Sequence, residues 1–159
     1  QLVRDVIGGL QVEARPDLKV DLELVATQAI RGDREMLRRV VENLVTNAVE
    51  AMSGSGTLRI RTEDMDANGS SKVHLFVADD GTGMSDEFVR DRLFRPFVTT
   101  KKKGLGIGLY QCQSIVRAHG GDLLVRSRPE RGSVFQVVLG AADSGGRELQ
   151  AAATPGGEP

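Results

Sequence analysis

The chain has 159 residues, 40% of them hydrophobic and 27% charged, with 21 Lys plus Arg against 22 Asp plus Glu. That is the size and balance of one ordinary domain, and its core must be aliphatic, because Trp is absent and aromatics make up 4%. A net charge of -1 argues against coating a nucleic acid, scarce aromatics argue against base stacking, and the single Cys112 excludes an internal disulfide framework and any multi-Cys metal site.

The elements follow in chain order. Leu2, Val3, Val6, Ile7 and Leu10 repeat at helical spacing and predict a helix over 2–14, stopped by Pro16. Val20, Leu22 and Leu24 alternate with Asp21 and Glu23 as in a half-buried strand. Asp33 suits a helix N-cap, and Leu37, Val40, Val41, Leu44, Val45, Ala48 and Met52 form the apolar stripe of a long helix to about Met52. Two strands, around 58–62 and 73–77, are joined by a polar turn at Asn68-Gly69. From Asp79 to Gly108 the periodicity dissolves into a long loop. A helix from about Leu105 to His119, stopped by Gly120-Gly121, and strands near 122–127 and 133–139 complete a single domain over 1–140. Residues 141–159, with Leu149 as their one large aliphatic, read as a disordered tail. No run approaches the roughly 18 apolar residues that cross a bilayer, so no direct membrane contact is expected. The chain begins at Gln1 and reads as a fragment of something longer.

Three clusters carry chemistry. Asn43 and Asn47 stand one turn apart on the long helix, beside its apolar stripe, so they are either half-exposed polar residues or a pair looking into a pocket. Asp79-Asp80-Gly81-Thr82-Gly83-Met84 puts a carboxylate at a strand end, followed by glycines that let backbone approach a ligand. Lys103-Gly104-Leu105-Gly106-Ile107-Gly108-Leu109 opens a helix, as a hinge or as a set of free amides suited to phosphate. The intervening stretch from Arg90 to Lys103 is basic apart from Asp91, and Phe94 and Phe97 read as apolar plugs that anchor it as a lid. A P-loop, a dinucleotide-binding Gly-x-Gly-x-x-Gly opening a first βαβ unit and the Asp-Phe-Gly of protein kinases are all missing.

These motifs together resemble the N box (Glu42 to Ala48), G1 box (Asp79 to Met84), F box (Leu93-Phe94-Arg95-Pro96-Phe97) and G2 box (Gly104 to Leu109) of bacterial sensor histidine kinases. The resemblance implies the catalytic ATP-binding domain shared with gyrase, Hsp90 and MutL proteins. Its expected fold is α+β, a two-layer sandwich of the Bergerat type: a mixed, mostly antiparallel sheet of about five strands on about three helices, with an ATP lid. It implies that Asp79 accepts a hydrogen bond from the adenine amino group and that Asn47 ligates Mg²⁺ while Asn43 supports the phosphates. Gly104, Gly106 and Gly108, with Leu105, Ile107 and Leu109, would line the triphosphate. Gly81, Gly83 and Met84 would line the base and ribose, with Ser133 in place of the usual Thr and Phe97, Thr99, Thr100 and Lys101 at the lid. The second G1 position is Asp80 where Asn is usual, and the Lys common near the end of the N box is Glu50. Glu50 and the short lid resemble the nitrogen-regulation subgroup, and Lys101 is then expected to supply a catalytic phosphate contact that Glu50 cannot.

In ATP-hydrolysing relatives a Glu general base stands one turn before the metal ligand, where this chain has Asn43; Glu42 points about 100° away round the helix. Rapid hydrolysis is therefore not expected. The kinase family phosphorylates a His on a separate dimerisation helix. His74, mid-strand, and His119, at a helix end where it suits the dipole, read as structural. The expectation is a domain that binds Mg-ATP and donates phosphate to a dimerisation domain of its parent chain and thence to a response regulator receiver, without phosphorylating itself. The resemblance implies a cytoplasmic domain and is compatible with a parent anchored in the bacterial inner membrane. The alternatives are a gyrase- or MutL-like ATPase module, or a non-catalytic nucleotide-binding regulator.

Overall fold

Asp33 and the stripe that follows it organise the architecture. In the computed structural model of the chain, which describes residues 1–67, 70–98 and 106–142, Asp33 accepts the Glu35 and Met36 amides at 2.9 and 3.0 Å and starts helix α2, Arg34–Ala51. A capping carboxylate of this kind is worth about 1 kcal/mol. Leu37, Val40, Val41, Leu44, Val45 and Ala48 are buried along α2. Full burial of each larger aliphatic stabilises by about 1.5–3 kcal/mol.

Helix α1, Leu2–Leu10, buries Val6 and Ile7 in the same core. It ends at Leu10 rather than at residue 14. Gly8 and Gly9 weaken the helix, and Gln11 turns left-handed (φ 52°) with its amide on the Gly8 carbonyl, after which Val12–Ala14 form a 3-10 turn.

Strands β1 (Leu18–Leu24), β2 (Gly56–Ala67), β3 (Ser70–Asp79), β4 (Asp122–Arg128) and β5 (Gly132–Gly140) make one sheet in the order β1-β2-β3-β5-β4. The β1–β2 pair is parallel, with α2 as its crossover, and the other pairs are antiparallel. This is the expected α+β sandwich. Strands β2 and β3 run further than the predicted 58–62 and 73–77, because the extending residues, Glu63 to Ala67 and Ser70 to Lys72, are mostly polar yet still pair in the ladder, and so carry no apolar alternation to read. On the exposed face Asp21 stands opposite Arg59, and Glu23 opposite Arg61, as ion pairs of 3.5 and 3.6 Å. The predicted Asn68-Gly69 turn lies outside the described residues.

The predicted loop after Asp79 contains a short helix, α3 (Asp86–Asp91), whose first turn is capped by Ser85 Oγ accepting the Phe88 amide. Six residues are too few to register as a periodic pattern. Leu93 is buried and Phe94 packs on the core, but Phe97 is 77% exposed. The apolar anchor of this stretch is therefore Leu93 with Phe94, and Phe97 plugs nothing.

Helix α4, Gly108–Ala118, begins at Gly108 rather than near Leu105, a residue outside the described set. Cys112, fully buried, packs α4 on α2 beside the Val40 carbonyl. At the other end of the chain Ala141 bridges to Ile30, and the Ala142 amide donates to Ala29 at 2.7 Å. Residues 143–159, most of the predicted tail, lie outside the described residues. Among the described residues no helix is long and apolar enough to cross a membrane.

Candidate functional site

The C-terminal half of α2, the turn after β3, the start of α4 and β5 surround one cavity of about 550 Å³. Asn43, Asn47 and Glu50 reach it from α2, Asp79, Gly83 and Met84 from the end of β3 and its turn, Gly106 to Leu109 from α4, and Ser133 from β5. Of the two sequence readings of Asn43 and Asn47, the pocket-facing one holds.

Asn43 has a defined orientation. Its Nδ2 donates to the Arg39 carbonyl at 3.0 Å, and Oδ1 faces the first residue of α4, where a Cβ on Gly108 would stand 3.0 Å away. The amide oxygen is thus presented to the mouth of α4. Ile107 occupies the N-cap position of helix α4 and its side chain makes no cap hydrogen bond. The first-turn amides and the positive end of the helix dipole lie at the cavity there, an arrangement suited to an anion. The Phe97 amide donates to the Gly106 carbonyl at 3.0 Å, which joins the two described ends of the lid stretch.

Asp79 sits on the opposite wall, 8% exposed. Burial raises its carboxyl above the usual carboxylate range, offset in part by the Gly81 amide, bonded to Oδ1 at 2.9 Å, and by the Ser133 amide; the neighbouring Asp80 charge adds a small upward push. Gly83 adopts φ +62° and lies so close to β4 that a Cβ would overlap the Arg128 carbonyl. Only glycine fits there. Gly81 does not line the cavity but packs on the end of α2, where the Thr82 amide donates to the Ala51 carbonyl at 3.1 Å.

Asp80, whose role the sequence left open, faces away from the cavity and accepts the Thr57 amide at 2.9 Å, clamping the start of β2. Glu42 is ion-paired to Arg38 at 2.8 Å on another face of α2, which keeps it out of the cavity as its position on the helix predicts. Phe97 does not reach the cavity either; Val98 does. Thr99, Thr100, Lys101, Gly104 and Leu105 lie outside the described residues.

Neither histidine lines the cavity. His74 is 9% exposed and its Nδ1 stands 3.0 Å from Gln136 Nε2, an amide that can only donate. His119 accepts the Asp33 amide at Nε2 (3.0 Å) and, through Nδ1, donates to the Ile115 carbonyl (2.7 Å). An Nε2 that accepts is unprotonated, so His119 ties the start of α2 to the end of α4 as a neutral ring, in keeping with the structural role read for it in the sequence.

A second hollow of about 570 Å³ shares Asp79 and Ser133 but is otherwise walled by α3, the edge strand β4 and the start of β5, with Arg126, Arg128 and Arg131 around it. It holds neither asparagine nor any part of α4.

Residues 32–143 match the family described as histidine kinase-, DNA gyrase B-, and HSP90-like ATPase, and the chain belongs to that family. Its fold and sequence are similar to the catalytic domain of histidine kinase ThkA, with a TM-score of 0.75 and 31% identity over 88% of this chain and 92% of that one. Among curated proteins it is 38% identical over 130 residues to the signal transduction histidine-protein kinase AtoS of Escherichia coli, covering 80% of this chain and 20% of AtoS. It is 40% identical over 110 residues to sporulation kinase C of Bacillus subtilis, covering 69% and 24%. The chain thus spans about a fifth to a quarter of the length of these curated relatives.

Proposed function

We propose that this chain is the catalytic domain of a histidine autokinase, which binds ATP with Mg²⁺ in the cavity beneath α4 and donates the γ-phosphate to a histidine outside this chain. The observation that carries this reading is the joining of Asp79, Asn43, Asn47 and the uncapped start of α4 around one cavity, with Asn43 where a hydrolase needs a carboxylate base. Phosphoryl transfer asks mainly for positioning and charge neutralisation, and its nucleophile can come from another domain. His74 and His119 are both engaged in hydrogen bonds away from the cavity, which supports an acceptor supplied from elsewhere.

The side chains fit the nucleotide. Asp79, buried in the cavity wall, suits an exocyclic amino group, and the first-turn amides of α4 suit phosphate oxygens. Asn47 suits Mg²⁺ as an amide-oxygen ligand. Among the described residues no group of three or more His, Cys, Asp or Glu could hold a metal, so the remaining oxygens would come from nucleotide and water. The ion would neutralise phosphate charge; Asn47 and Asn43 orient it and the phosphates. Lys101 is proposed as a further phosphate contact, and Glu50 with the short lid supports the nitrogen-regulation-like subgroup.

The phosphorylated histidine is proposed to lie on a dimerisation domain of the parent protein and the final acceptor to be a response regulator receiver. A structure of ThkA in complex with the response regulator TrrA, 29% identical to this chain, supports that partner class. The test is to mix the chain, γ-labelled ATP and a separately produced histidine-bearing dimerisation domain of its parent. Acid-labile phosphohistidine is expected on that domain and none on the chain alone. Nucleotide binding without transfer would move the reading to a nucleotide-binding regulator, and steady release of phosphate to an ATPase. Asn47→Ala is expected to abolish the Mg²⁺-dependent part of ATP affinity, measured by calorimetry with and without chelator.

A further inference from the structure

Ser127, on β4, was not singled out by any sequence motif, yet it joins the turn after β3 to the start of β5. Its Oγ lies 2.8 Å from the Met84 amide, 3.0 Å from the Gly132 carbonyl and 2.9 Å from Ser133 Oγ. A serine hydroxyl has one proton and two lone pairs. The Met84 N–H can only donate, so it takes one lone pair. The Gly132 carbonyl can only accept, so it takes the proton. The one valence left is a lone pair, and Ser133 must therefore donate its own hydroxyl proton to Ser127.

The consequence appears at the wall of the cavity. With its proton committed, the Ser133 oxygen presents lone pairs alone. Asp79, beside it in register across β3 and β5, presents a carboxylate. This wall accepts hydrogen bonds and offers none from these two side chains. A base edge bearing an amino group meets it with matched polarity, whereas an edge bearing a carbonyl at that atom meets acceptors and leaves polar groups unpaired.

We propose that Ser127 is a positioning residue for base selection: it orients the Ser133 hydroxyl as an acceptor and pins the turn after Asp79 through the Met84 amide. The proposal rests on the nucleotide reading given above. It makes Ser127, which need not touch the ligand, responsible for part of the preference for a 6-amino purine over a 6-oxo one.

Affinities for ATP and ITP, measured by calorimetry on the wild-type chain, Ser127→Ala and Ser127→Thr, test it. In Ser127→Ala the Ser133 hydroxyl is released to rotate and donate, so the ATP-to-ITP preference is expected to fall about tenfold, the worth of one well-placed hydrogen bond. Ser127→Thr keeps the hydroxyl and is expected to restore the preference. Without nucleotide, hydrogen exchange at the Met84 amide is expected to accelerate in Ser127→Ala and to return in Ser127→Thr. If Ser127→Ala does not fold, Ser127→Cys, close in volume but a poor hydrogen-bonding partner, carries the same expectation. An unchanged ATP-to-ITP ratio in a folded variant overturns the role of Ser127 alone. A wild-type chain that binds no ATP overturns the nucleotide reading and this proposal with it.

Discussion

Asp79 has two demands on its carboxylate that pull in opposite directions. Burial favours the protonated form, while an adenine amino group is bonded more strongly by the ionised one. A carboxyl raised in the folded state contributes stability that is complete below its unfolded value, near 3.9, and is lost as pH rises through the folded value. An amino-bearing ligand compensates the ionised form for the hydration it loses on burial. ATP affinity is expected to fall on acidification at a pH above the ordinary carboxylate range. Asp79→Asn is expected to bind more weakly and to lose that part of the profile. Titration calorimetry from neutral pH downward checks this through the difference between the two proteins, which cancels the titration of ATP itself; superimposable profiles would refute it.

Much of this was readable residue by residue. Asp79, Gly83, Asn43 and Asn47 stand in local motifs, and the resemblance of those motifs to a known family is what implied their grouping. What was not readable comes from partners far apart in sequence. The Thr57 amide meets Asp80 across 23 positions, Met84 meets Ser127 across 43, and Asp33 meets His119 across 86. No helical or strand periodicity carries such information, since each bond exists only once the sheet order has brought the strands together. Phe97 was misread for a related reason: an apolar residue in a polar stretch suggests burial, but Leu93 had already taken the core position.

At the scale of elements, α2 and α4 are joined at one end by the neutral His119 ring and at the other by the approach of Asn43 to Gly108. The spacing of the two helices is thus held by a hydrogen bond through His119 at one end of α4, by the close approach of Asn43 to Gly108 at the other, and by Cys112 between them. Gly32 supports the first of these contacts: a Cβ there would stand 2.5 Å from His119 Cδ2, 2.9 Å from Nε2 and 3.1 Å from Leu37 Cδ1. Gly32→Ala is expected to displace the ring and cost about 1–3 kcal/mol, as overpacking does. Gly8, exposed within α1 with no atom within 4 Å of its would-be Cβ, predicts the opposite sign. Gly8→Ala is expected to stabilise by about 0.5–1 kcal/mol through helix propensity. Urea midpoints of the two variants check both signs, and a Gly32→Ala midpoint at or above wild type would refute the staple.

For the molecule as a whole, Cys112 is a built-in reporter of cooperativity. It is the chain's one cysteine, it is fully shielded, and burial pushes its thiol up to about 12. Thiolate is the reactive form, so labelling requires opening of the α2–α4 interface. Modification by a thiol reagent is expected to be negligible in the folded chain, to rise with urea in step with the loss of far-ultraviolet circular dichroism, and to slow when ATP is added. Labelling at urea concentrations well below the transition would show that these helices separate before the sheet unfolds.

The single parallel pair in the sheet sets a kinetic order on this domain. An antiparallel hairpin such as β2–β3 can form from neighbouring residues, whereas β1 can meet β2 only after the whole of α2 has folded back between them, with Leu18 pairing to Gly56. Contacts that close so long a stretch of chain form slowly. The helix that closes it carries Asn43 and Asn47, and the still longer closure of β3 on β5 brings Asp79 beside Ser133, so competence to hold a nucleotide arrives only once both late pairings have formed. A nascent or partly refolded chain with its hairpin already formed would still be blind to ATP.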